Sequence, residues 1–176
     1  MLPVIDLVRT IKKVIKGLIS TFGLQMTQET EKSKIQMNTT PSGGDMKYWN
    51  DLDGSTFFCM VFSGQIAINE IKLFSLIVDN NLSTLTLAFD IRELPNSPPK
   101  KWQQAQYNAC RIGISCSEID NLVVRSLPVT GPMKLTIEKD GSRFVVSAMS
   151  EHSAIKFTTS FLSLRDPSVY LTKTPF

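Results

Sequence analysis

Residues 133–139 (MKLTIEK) and 142–149 (SRFVVSAM) flank Asp140-Gly141, and this pattern constrains the fold more than any other in the chain. Apolar and polar residues alternate on both sides of a dipeptide that favours tight reversal, which predicts an antiparallel hairpin. Residues 154–162 alternate again through Ile155, Phe157, Thr159 and Phe161, extending the hairpin to a three-stranded meander. Upstream, Leu85, Leu87, Phe89 and Ile91 alternate with Thr84, Thr86, Ala88, Asp90 and Arg92, the mark of a half-buried strand. Residues 110–116 (CRIGISC) and 121–127 (NLVVRSL) read as two more strands, and 169–171 as an edge pairing.

The segment 56–68 (TFFCMVFSGQIAI) is rich in aromatic and branched residues and predicts a long strand, with Gly64 at a bulge or bend. Asn69 then offers a helix cap, and Ile71, Phe74, Ile77 and Val78 sit at helical spacing, so 70–80 is expected as a helix closed by Asn80-Asn81. Residues 102–110 are expected to hold a short helix. The class is α+β, mainly an antiparallel sheet with one or two packed helices. Composition agrees, since 42% hydrophobic and 20% charged residues suffice for a sizeable core. The expected organisation is an amphipathic helix at 1–24, a flexible polar linker at 25–47 and a single domain at 48–176.

Charge singles out the first segment. Of 19 basic and 16 acidic residues, four basic and one acidic lie in 1–24, leaving 15 of each elsewhere. Wound as a helix, Val4, Leu7, Val8, Ile11, Ile15, Leu18, Ile19 and Phe22 share one arc, with Arg9, Lys12, Lys13 and Lys16 along its flank. Such a helix docks on its own core, lies on anionic lipid or enters a partner's groove. The charges interrupt the apolar run, which disfavours a secretory signal or a span, and Asp6 and the single arginine disfavour a transit peptide. Leu2 stands where myristoylation needs glycine, and no prenylation box ends the chain. A second candidate interaction element is the loop Pro98, Pro99, Lys100, Lys101 and Trp102, where paired prolines forbid a sheet.

Catalytic patterns are not expected to carry the function. His152 is the lone histidine and falls in a turn, and no nucleophile elbow, phosphate loop or dinucleotide fingerprint appears. Cys59, Cys110 and Cys116 lack metal-ligand spacing and read as free thiols of a reducing, intracellular compartment. The expectation is therefore no enzyme, no cofactor, no metal and no small-molecule substrate.

The order of a basic N-terminal region, a polar linker and an α+β domain resembles the matrix proteins of rhabdoviruses. The closest local likeness is 56–80 (TFFCMVFSGQIAINEIKLFSLIVDN), which looks like the aromatic first strand of that domain running into its first helix. Neither PPxY nor P[TS]AP occurs, a departure that tilts toward the plant-infecting members. The resemblance implies a structural virion protein at the inner membrane surface of the host cytoplasm, binding anionic lipids, itself and a viral nucleocapsid or nucleoprotein, with a role in budding. The residues alone also admit an intracellular protein-interaction module using the N-terminal helix, or a nucleic-acid-binding viral accessory protein.

Overall fold

The computed structural model describes residues 44–128 and 131–176. The expected helix at 1–24 and most of the expected linker lie outside them. Among the described residues the fold is mostly one antiparallel sheet with two short helices. Eight strands run as β1 (Glu70–Asp79), β2 (Thr84–Ile91), β3 (Ala109–Ser117), β4 (Asp120–Arg125), β5 (Met133–Asp140), β6 (Arg143–Met149), β7 (Ala154–Thr159) and β8 (Phe161–Tyr170). The helices are α1 (Thr56–Val61) and α2 (Lys100–Gln103).

The spatial order is β4-β7-β6-β5-β1-β2-β3-β8. Only Ser160 separates β7 from β8, yet they sit six places apart in that order. A flat sheet would put them roughly 29 Å apart at about 4.8 Å per strand, far beyond one residue's reach. The sheet must therefore curl until its halves face each other, β4-β7-β6-β5 against β1-β2-β3-β8. Thr159 holds the corner: its Oγ1 lies 2.6 Å from the Ser117 carbonyl and 2.9 Å from the Phe161 carbonyl. Strand β1 is the seam, pairing with β5 through Glu70 and Ile71 and with β2 from Lys72 to Asp79.

Alternation fills the space between the halves. Leu85, Leu87, Phe89 and Ile91 face Leu135, Ile137, Val146, Ile155 and Phe157 in one buried cluster. Each such side chain contributes about 1.5–3 kcal/mol on burial. Phe58 and Val61 of α1, with Phe62 just past its end, plug the remaining opening beside Trp49, whose ring lies 5.3 Å from that of Phe89. The meander β5-β6-β7 forms as its alternation predicts. Gly141 takes the first loop position at φ +60°, with Asp140 ending β5 and pairing with Arg143.

Two expected elements are exchanged. Residues 56–61 are a helix, because Phe58, Val61 and Phe62 recur at helical spacing and all three are buried. Residues 70–79 are a strand, and the order from Thr56 to Asp79 is helix then strand, the reverse of the order behind the matrix-protein likeness. A bulge at Phe74 explains the misreading: Leu73 pairs with Phe89, and the next pair is Ser75 with Ala88. The extra residue breaks the period of two, and the set at helical spacing joins buried Ile71 to exposed Phe74, Ile77 and Val78, so it marks no single packed face. The closing Asn80-Asn81 is instead a hairpin turn, where Asp79 Oδ1 accepts from the backbone of Asn81 and Leu82. The short helix expected over 102–110 is shifted to Lys100–Gln103, and Ala109 already begins β3. The strand expected over 154–162 breaks at Ser160, which puts Phe161 in a different half of the sheet from Phe157. The domain also begins earlier than 48, since Asp45 bridges Glu138 and the Met46 N–H donates to the Ile137 carbonyl.

Cys110 and Cys116 are buried in the core, and burial pushes both thiols up to about 12, whereas Cys59 is exposed. Under native conditions a thiol reagent at neutral pH should modify one cysteine promptly and two only at the rate of unfolding. Prompt modification of all three would contradict this packing.

Candidate functional site

The outward side of β1-β2-β3-β8 is the most distinctive surface of the described residues. Pairing registers stack it into four rows: Asp79–Thr84–Ser117–Phe161, Ile77–Thr86–Ser115–Ser163, Ser75–Ala88–Gly113–Arg165 and Lys72–Asp90–Arg111–Ser168. The central strands thus contribute small or hydroxylated residues to the first three rows, and the outer strands add the larger Asp79, Ile77, Phe161 and Arg165 beside Ser75 and Ser163. The result is a furrow with a low polar floor. Its flanks carry Phe74, Ile77 and Phe161, each about 60% exposed. One cavity of about 510 Å³ lies over the first two rows, lined by Asp53, Thr84, Thr86, Ser115, Ser117, Phe161 and Ser163 together with Cys116 and Leu162. A smaller one of about 190 Å³ continues over Ala88, Arg111, Gly113, Arg165 and Ser168.

The fourth row holds a closed polar set. Arg111 Nε donates to Asp90 Oδ1 at 2.9 Å, and its Nη2 lies 3.3 Å from Oδ2. The Tyr170 hydroxyl donates to Asp90 Oδ2 at 2.6 Å and accepts from Arg111 Nη2 at the same distance. The guanidinium carbon sits 3.4 Å from the Phe74 ring centre and 4.6 Å from that of Tyr170. The bulge at Phe74 turns its ring onto the outer face, where it covers the guanidinium. Burial and the hydrogen bond to Asp90 raise the Tyr170 phenol from 10 to about 12. A raised folded-state value means the proton is held more tightly in the native state. The stabilisation is complete below pH 10 and lost as pH rises toward 12. Tyr170→Phe should remove the late tyrosinate absorbance step near pH 12. If that step survives, Tyr170 is not its source.

The sequence-derived candidates fall elsewhere. Val4, Leu7, Val8, Arg9, Ile11, Lys12, Lys13, Ile15, Lys16, Leu18, Ile19 and Phe22 lie outside the described residues. In the proline loop, Lys100 and Lys101 are exposed, but Trp102 packs edge-on against Phe57 at 5.7 Å. That contact anchors the loop to α1, leaving Trp102 half-buried. The furrow escaped sequence reading because Thr84, Thr86, Ser115 and Ser117 look like the solvated side of ordinary strands. The available signal was their shared hydroxyl chemistry, repeated at every second position of two neighbouring strands.

Residues 57–170 match the model of a family described as immunity protein 50 (Imm50), a span that takes in all eight strands and most of α1. No curated protein and no solved structure matches the chain. The matched family differs from the one that residues 56–80 resemble.

Proposed function

The chain belongs to the immunity protein 50 family, and on that premise we propose that it protects a cell by binding a polypeptide toxin and blocking it through occupancy. No bond of the toxin needs to be made or broken for this. Immunity proteins of nuclease toxins reach the tightest non-covalent affinities known, which shows how far occupancy alone can go. The observation that carries the reading is the furrow matched to the family span. Exposed aromatic rings at Phe74 and Phe161, a residue class enriched at protein interfaces, flank its polar floor.

The test is a genetic selection. Fragments of the source genome that kill a host alone are sought among those tolerated when this chain is co-expressed. At least one should appear, and its product should co-elute with this protein in a fixed ratio. A saturated selection yielding no rescued fragment would reject the immunity role. With that toxin in hand, Phe161→Ala should weaken the complex by about tenfold. Folding stability should change by no more than about 0.5 kcal/mol, because the ring is exposed.

A second element rests on the charge of 1–24. We infer that this basic amphipathic segment holds the protein near anionic lipid, where an incoming toxin would be met. Flotation with phosphatidylserine vesicles should retain the full chain in a salt-sensitive manner and lose a variant lacking 1–24. Equal retention of both would remove the segment from membrane binding.

A further inference from the structure

We propose that the larger cavity of the furrow, at Asp53 and Phe161, is a receptor for an arginine side chain presented by the partner polypeptide. This rests on the immunity reading for the partner's nature, and on the furrow's own chemistry for the arginine.

The fold supplies its own template one furrow-length away. There, a guanidinium is held by a carboxylate (Asp90), a hydroxyl (Tyr170) and an aromatic face (Phe74). The cavity over the first two rows has the same three components without the cation. Its carboxylate is Asp53, its ring is Phe161, and Thr84, Thr86, Ser115 and Ser117 supply hydroxyls. Among the described residues, no ion pair involves Asp53. Of the lining hydroxyls, Ser163 has described hydrogen-bond partners, with its Oγ 3.3 Å from the Asp53 carbonyl. No lysine or arginine lines the cavity, while Asp79 stands in the Thr84 row and Glu118 follows Ser117. The cation beside Glu118, Arg143, is engaged by Asp120 and the Glu118 carbonyl, so the carboxylate of Asp53 is left to complement a cation from outside.

The geometry favours arginine over lysine. A planar guanidinium can lie against the exposed Phe161 ring while its fork reaches a carboxylate and neighbouring hydroxyls, whereas an ammonium offers a point charge. The cavity's volume, about 510 Å³, admits a whole arginine side chain with its flanking backbone.

The test uses full-length isotope-labelled protein titrated with N-acetyl-arginine amide and followed by amide NMR. Shifts should saturate and concentrate at Thr84, Thr86, Ser115, Ser117 and Ser163. N-acetyl-norleucine amide, with a similar stem and no charge, should move them far less. Asp53→Asn should weaken arginine binding at least about threefold, the scale of a screened surface ion pair. Its spectrum elsewhere should be unchanged, which separates loss of the site from loss of the fold. Equal shifts by the arginine and norleucine amides, or undiminished binding by Asp53→Asn, would overturn the proposal. Tighter binding of free arginine than of the capped amide would also overturn it, because the occupant would then be a metabolite and not a peptide-borne side chain. None of these readouts contains a toxin, so they fail or succeed independently of the genetic selection.

Discussion

Arg111→Ala should lower the unfolding free energy in urea melts by about 3 kcal/mol, the scale set by removing one partner of a buried ion pair. Asp90 is 9% exposed and receives three of its hydrogen bonds from two residues, Arg111 and Tyr170. Deleting the guanidinium leaves the carboxylate with the Tyr170 hydroxyl alone. It also uncovers the Phe74 ring, which lies 3.4 Å from the guanidinium carbon and loses a cation–π contact worth about 0.5–2 kcal/mol. Lysine should not rescue the loss, because an ammonium cannot lie flat against two rings while pairing with both carboxylate oxygens. The pair Asp90→Asn with Arg111→Met should cost less than the sum of its single changes, since each single change strands the partner's charge and the double change strands none. A loss below about 1 kcal/mol for Arg111→Ala would mean that water satisfies Asp90 and the cluster is not a structural brace.

The sequence exposes the meander and β2 because regular alternation of Leu135, Ile137, Val146, Leu85 and Phe89 has one packing solution. It conceals β1 because a single bulge at Phe74 breaks the period of two, and the resulting spacing fits a helix as well as a strand. It conceals α1 for the opposite reason. Aromatic and branched residues favour strands in general, but a short segment closing the core needs only Phe58, Val61 and Phe62 on one side. The site was less legible still. Its floor consists of residues that any exposed strand can carry, and only the pairing of Thr86 with Ser115 and of Ser115 with Ser163 assembles them into a surface. Asp53 is further hidden, because it reaches that surface through an isolated bridge to Ser163 across 110 residues. No local pattern encodes such a contact.

That bridge makes Gly54 the most demanding glycine near the site. Its φ is +80°, and a Cβ placed there would lie 2.5 Å from both the Leu164 carbonyl oxygen and the Ser163 Oγ. Gly141 supplies the control, with φ +60° and nothing within 4 Å of a Cβ. Gly141→Ala should therefore cost backbone strain alone, about 1–2 kcal/mol. Gly54→Ala should cost that strain plus a steric term of about 1–3 kcal/mol, because the carbonyl belongs to β8 and cannot rotate away. The excess has a functional consequence as well. Relief of the overlap must push residues 53–54 from β8, breaking the hydrogen bond in which the Leu164 N–H donates to the Asp53 carbonyl at 2.7 Å. Asp53 would then leave the cavity wall. Gly54→Ala should lower stability more than Gly141→Ala and also lose the arginine-amide response, which Gly141→Ala should keep. Equal stability losses in urea melts would show that β8 yields to the new methyl group, and that the bridge does not fix Asp53 in place.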